Sequence, residues 1–125
     1  MIVMAPNPST PRTPPTPLTP AVYHVLLALG EDLVLHGYAI MQRLTELTGG
    51  QEELLPGTLY ATLARMADAG LIEEARAPKG EESGGPPRRH YRVTHKGLAA
   101  AHAETERMRR LLNVARQVWQ PGLVR

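Results

Sequence analysis

The chain has 125 residues, 42% hydrophobic and 21% charged, with a formal net charge of +2. That is room for one globular domain with one modest core, and not for two. There is no Cys, which excludes disulfides and thiolate metal sites, and no apolar run approaches the ~20 residues that span a bilayer. Aromatic residues are few (Tyr23, Tyr38, Tyr60, Tyr91 and Trp119), so the core is expected to be aliphatic.

Seven of the twelve prolines fall within the first 20 residues, among Thr, Ser and Asn. Proline fixes φ and removes a backbone donor, so residues 1–17 are expected to form a disordered or polyproline-like tail. A dispensable extension is the plainer account of it and a ligand segment the alternative. The tail carries only Arg12 as a charge and has no continuous apolar stretch, which argues against a secretory signal and for a cytoplasmic chain.

Order begins at Thr19-Pro20, a capping residue followed by Pro at the first helical position. Val22, Val25, Leu26 and Leu29 then recur at helical spacing, and Gly30 ends the helix. A second helix is expected over about 37–48, with Ile40, Met41, Leu44 and Leu47 on one face and Gly49-Gly50 beyond it. A third starts near Pro56-Gly57, buries Leu59, Leu63 and Met66, and stops at Gly70.

The rhythm then changes. Residues 71–77 suit a short strand, and 78–87 are rich in Gly, Pro and charge. Residues 88–93 alternate, with Tyr91 and Val93 facing one side and His90 and Arg92 the other. The expected product is a β-hairpin with a loop too long for a two-residue turn. Thr94 caps a final helix reaching about Val118, with Pro121-Gly122 beyond its end. Along it Leu98, Ala101, Thr105, Met108, Leu112, Ala115 and Trp119 alternate by three and four, the spacing of a heptad seam. Such a seam either folds back on its own core or meets a second copy. Its length exceeds what a short three-helix unit covers, which favours a homodimer.

The fold class is therefore mainly α with a small β-hairpin: a winged helix-turn-helix over 18–93 and a C-terminal dimerisation helix over 94–120. In helix-turn-helix proteins the second helix of the motif enters the major groove of DNA. Here that is the helix opening Pro56-Gly57-Thr58-Leu59-Tyr60. Leu59 and Leu63 point inward, leaving Thr58, Tyr60, Ala61, Thr62 and Arg65 for the outer face. Gly57 admits a close backbone approach, and free amides at a helix start favour phosphate. A plain surface helix with a Pro-Gly entry fits the spacing equally well. The hairpin adds Lys79, Arg88, Arg89 and Arg92, diluted by Glu81 and Glu82, and such charges either track phosphates or are merely solvated.

No close pair of the five His residues shares a helical face and there is no Cys, so a metal site is not expected. No phosphate loop, nucleophile elbow or HExxH motif occurs, and no cofactor or enzymatic activity is expected.

Over residues 18–100 the chain resembles the PadR family of bacterial transcriptional regulators. The matching stretches are Leu26-Leu27-Ala28-Leu29, His36-Gly37-Tyr38-Ala39-Ile40, Pro56-Gly57-Thr58-Leu59-Tyr60, Gly70-Leu71-Ile72, and Arg88-Arg89-His90-Tyr91-Arg92-Val93-Thr94 with Gly97. Their order and spacing together are specific. The resemblance implies a dimer binding a pseudo-palindromic promoter site in double-stranded DNA, usually as a repressor. It implies that the C-terminal helix dimerises with a contribution from the first helix, where Val22 stands. In some members a small aromatic or hydrophobic effector binds near that interface. By motif, Pro56, Gly57, Thr58 and Tyr60 match the recognition helix, Arg88 and Arg89 the wing, and His36, Gly37 and Tyr38 the entry to the preceding helix. The C-terminal region is one helix, as in the small subgroup. Leu55 departs from the pattern, standing where the family often has a small hydroxyl residue able to cap the helix. A winged-helix protein-interaction module without DNA binding, or a small-molecule-binding dimer with no DNA role, would share the fold.

Overall fold

A computed structural model describes residues 17–80 and 88–120. The element order is α1 (Pro20–Leu29), β1 (Leu35–His36), α2 (Gly37–Thr48), α3 (Pro56–Asp68), β2 (Ile72–Ala75), β3 (His90–Val93) and α4 (His95–Val118). Residues 1–16, the loop tip with Glu81 and Glu82, and Pro121-Gly122 lie outside the described residues.

Each helix starts where its chemistry allows. The Thr19 hydroxyl accepts from the Val22 amide, and Pro20 needs no partner for a missing N–H. His36 caps α2 through Nδ1, which accepts from the Ala39 amide at 3.2 Å. Thr94 caps α4, accepting from Gly97 N–H at 3.0 Å. Leu55 gives α3 no side-chain cap, and Pro at its start reduces the need for one.

The core is aliphatic as expected, built from Val25, Leu26, Leu29, Ile40, Leu44, Leu59, Leu63, Met66 and Ile72, all nearly or fully buried. Truncating any of these to Ala would cost about 2–5 kcal/mol. Leu47 departs from the expected inward face of α2 and is 48% exposed, because the helix runs past the end of the core there.

The wing is larger than a hairpin. The sheet has three antiparallel strands in the order β1-β3-β2, with Leu35 opposite Tyr91 and Ile72 opposite Val93. A two-residue strand shows no alternation, so β1 left no periodic signal. Its presence makes β3 central and covers His90 on the side opposite Tyr91. The His90 side chain is 5% exposed, and its ring meets the ring of His36 edge to face with centroids 5.4 Å apart.

The end of α3 and the start of α4 are tied together. The Thr94 hydroxyl donates to Gly70 O, Lys96 Nζ donates to Ala69 O at 2.7 Å, and Thr94 N–H donates to Leu71 O at 3.1 Å. These bonds satisfy carbonyls of the turn that follows α3, while the helix's own end carbonyls at Arg65, Met66 and Ala67 accept from the Ala69, Leu71 and Gly70 amides. Gly97 makes this junction possible: a Cβ there would stand 2.0 Å from Leu71 O.

Candidate nucleic-acid interface

Helix α3 buries Leu59, Thr62, Leu63 and Met66. Thr62 therefore does not share the outer face. Positions 59, 62, 63 and 66 form one i, i+3, i+4, i+7 stripe, so the same periodicity that buries the two leucines carries Thr62 inside. Its hydroxyl has no hydrogen-bond partner among the described residues. Thr58, Tyr60, Ala61 and Arg65 are exposed, as are Pro56 and Gly57. A Cβ at Gly57 would meet nothing within 4 Å, so no intramolecular contact demands glycine there and the helix entry is open to a close approach.

An open cleft of about 870 Å³ separates α3 from the sheet. Tyr60, Ala64, Ala67 and Asp68 line the helix side; Glu74, Arg88, Arg89 and Tyr91 line the wing side; His36, Gly37 and Tyr38 close one end. Six of the thirteen residues predicted to bind DNA thus line one concave surface, namely His36, Gly37, Tyr38, Tyr60, Arg88 and Arg89, and Pro56, Gly57, Thr58, Ala61 and Arg65 do not line it. Lys79 is exposed at the start of the hairpin loop and does not line the cleft. Gly37 is buried and presents no surface of its own.

The wing's charge is partly neutralised within the sheet. Arg89 Nε lies 3.3 Å from Glu74 Oε1, and Arg92 Nε donates to Glu73 Oε1 at 2.8 Å. The antiparallel register, with Glu73 opposite Arg92, brings these partners together. All four side chains are more than half exposed or nearly so, where such pairs are worth about 0–1 kcal/mol, so a phosphate can displace the carboxylate. Arg88 stands apart: among the described residues it pairs with no carboxylate, its Nη1 lies 3.5 Å from His36 Nε2, and both side chains line the same cleft.

The α4 stripe divides in two. Leu98 and Ala101 line a shallow groove of about 150 Å³ with Tyr23, Leu26, Leu27 and Thr105. The Tyr23 hydroxyl lies 2.7 Å from the Thr105 hydroxyl, which itself donates to Ala101 O at 2.8 Å, so Tyr23 is the donor. This half of the stripe is thus covered by α1 of its own chain, a correction to the expectation that one chain offers no cover. Val22 packs against the core from α1. Beyond Thr105 the cover ends. Leu112 is 50% exposed and Trp119 75%, Met108 and Ala115 are partly exposed, and Leu111, Val114 and Val118 are bare as well. The spacing argument had missed those three, which widen the apolar arc well past a two-helix seam.

Among the described residues no group of three His, Cys, Asp or Glu side chains could hold a metal ion, and no helix is long and apolar enough to cross a membrane.

A scan of family models matches residues 25–103 to the transcriptional regulator PadR-like family. No curated protein matches. Among solved structures, the PadR-like transcription factor from Bacteroides fragilis is 23% identical with a TM-score of 0.63, the match covering 78% of this chain and 88% of that one. A PadR family transcription regulator from Clostridium difficile is 25% identical with a TM-score of 0.62, covering 78% and 96%. Bacillus subtilis PadR, solved in complex with operator DNA, is 23% identical with a TM-score of 0.55, covering 69% and 46%. With a family model matched over more than half its length, and with a winged helix-turn-helix and a long C-terminal helix in place, this chain belongs to the PadR-like family of DNA-binding transcriptional regulators.

Proposed function

We propose that the chain acts in the cytoplasm as a homodimeric repressor that binds a pseudo-palindromic operator. The observation that carries the DNA face is the cleft between α3 and the wing, where Tyr60, Tyr38, Arg88 and Arg89 converge beside an open helix entry. Tyr60, Thr58 and Arg65 are the side chains positioned to reach base edges or phosphates; Pro56, Gly57 and Ala61 allow the approach; Arg88, Arg89 and Lys79 track the backbone. The bare end of α4 supports the dimer. A helix of 24 residues is about 36 Å long, and among the described residues nothing covers Met108, Leu112 and Ala115 on its last turns or Trp119 at its C-cap. The limits proposed are 18–93 for the DNA-binding unit and 94–120 for the dimerisation helix, with the boundary where α4 begins. The groove between α1 and α4 adjoins the bare stripe and is where a small hydrophobic effector would sit.

A two-fold dimer reaches successive major grooves when its recognition helices sit ~34 Å apart. Inserting five base pairs between the half-sites of a footprinted operator turns them onto opposite faces and should abolish tight binding. Undiminished affinity after that insertion would overturn the two-headed arrangement. The pairing of Arg89 and Arg92 with Glu74 and Glu73 favours one second reading, a protein-interaction module. Binding to promoter DNA that weakens steeply with salt would exclude it.

A further inference from the structure

We propose that Gly37 is a positioning residue for DNA recognition, acting through Tyr60 and touching no DNA itself. The inference rests on the regulator reading above and deepens it. Gly37 opens α2 in ordinary helical backbone; its φ is not positive, so its conformation does not require glycine. Helix propensity favours Ala there by up to about 1 kcal/mol. Space gives the reason instead. A Cβ on Gly37 would stand 3.1 Å from Tyr60 Cε1, 3.4 Å from the Tyr60 hydroxyl oxygen and 3.4 Å from Leu59 Cδ2.

The edge of the Tyr60 ring therefore rests in the hollow that the missing side chain leaves on the first turn of α2. Tyr60 is still 58% exposed, so one edge of the ring is fixed while the rest faces the cleft with Arg88 and Tyr38. A tyrosine on the rim of a surface helix, otherwise free to swing about χ1, is held at one angle to the helix that enters the groove. Methyl addition at Gly37 moves the far end of a surface side chain, which the fold tolerates. The same shift of a few tenths of an ångström or more lands on the hydroxyl, where hydrogen-bond geometry is steep. Operator discrimination should suffer before stability does.

The test is a double-mutant cycle on the full chain: parent, Gly37→Ala, Tyr60→Ala and both together. Each is titrated by fluorescence anisotropy onto a footprinted operator and onto a scrambled duplex of equal length. Gly37→Ala should lower the preference for operator roughly tenfold, the loss of one well-made polar contact, while affinity for the scrambled duplex and its salt slope stay unchanged. In the Tyr60→Ala background Gly37→Ala should cost nothing more. An unchanged preference, or an equal loss with and without Tyr60, overturns the proposal. If Gly37→Ala does not fold by circular dichroism, recovery of folding in the double variant supports the contact and failure of both overturns it. A parent that prefers no duplex would sink the regulator reading instead. Tyrosine-ring NMR then decides the contact alone: Tyr60 resonances that move in Gly37→Ala support it, and resonances that stay put overturn it.

Discussion

The two halves of α4 share one apolar spacing and have opposite fates. From Gly97 to Thr105 the stripe meets α1 and the α3–β2 turn of its own chain, so closely that Gly97 has no room for a Cβ and Thr105 bonds Tyr23. From Met108 onward no other element among the described residues covers the same stripe. A three-four repeat identifies which face of a helix will be buried and says nothing about what buries it. The covered half attaches the helix to the DNA-reading domain, and the bare half is available to a second copy. Because Thr94 and Lys96 donate to the carbonyls of Gly70 and Ala69, in the turn that leaves α3, the start of α4 is fixed against the end of the recognition helix.

The comparison breaks most sharply at Gly97. Gly97→Ala drives a methyl group into the Leu71 carbonyl, 2.0 Å from the ideal Cβ, where backbone on both sides leaves little to yield. The expected loss is about 3 kcal/mol, the upper part of the over-packing range. Urea denaturation should show the midpoint falling with the slope unchanged; a loss under about 0.5 kcal/mol would mean that α4 can lift off the turn freely.

The bare half should behave in the opposite way. Met108→Glu with Leu112→Glu places charges where two copies would meet, and a desolvated like-charge cluster cannot be tolerated in a dimer seam. Analytical ultracentrifugation should give a monomer, with circular dichroism retaining the helical content of the reading domain. A dimer that survives both changes would assign the contact to another surface.

How much of this could be read in the residues follows from the kind of signal each element leaves. Helix starts at Thr19, His36-Gly37 and Pro56 and the stop at Gly70 were legible, because caps, prolines and glycines act locally. Strand β1 was not, since two residues carry no period. Thr62 was left to the outer face with Leu59 and Leu63 read as the inward pair, although its spacing from Leu59 and Met66 already puts it in the core stripe. The Arg–Glu pairs of the wing and the Tyr60–Gly37 contact depend on register and on the crossing of α2 and α3, which no single segment encodes. The cover of Leu98 to Thr105 by α1 was lost for the same reason.

A milder probe of the covered half is Tyr23→Phe, which removes the one side-chain hydrogen bond between α1 and α4 and leaves the ring in place. The pair is largely solvent-accessible, and Thr105 keeps its bond to Ala101 O, so no buried group is orphaned. The cost should be about 0.5–1 kcal/mol. Thermal unfolding of parent and variant side by side would measure it, and a shift above 2 kcal/mol would show that the contact organises more of the helix pair than one bond.

The smallest effect lies at the boundary of the two halves, in the carboxylate of Glu104. This side chain is 6% exposed, forms a two-pronged pair with Arg107, and accepts from the Leu18 amide at the approach to α1. The hydrogen bonds from Arg107 hold its carboxyl below the ordinary glutamate range, against the opposing effect of burial. Glu106 is lowered in the same way by Arg109, but on an exposed face. An acid whose folded pKa is depressed stabilises the protein above its unfolded pKa, about 4.3, and that contribution is lost as pH falls through the folded value. The contribution of Glu104 should therefore be full from neutral pH down to roughly pH 5 and be lost below about pH 4. Glu104→Gln keeps a partner for the Leu18 amide but cannot titrate, so its acid limb should be shallower even though its stability at neutral pH is lower. Urea midpoints measured for both proteins between pH 3 and pH 7 would test this. Parallel curves would mean that Glu104 titrates alike in the folded and unfolded chains, and that the boundary is held by packing of Leu18 and Ala101 alone.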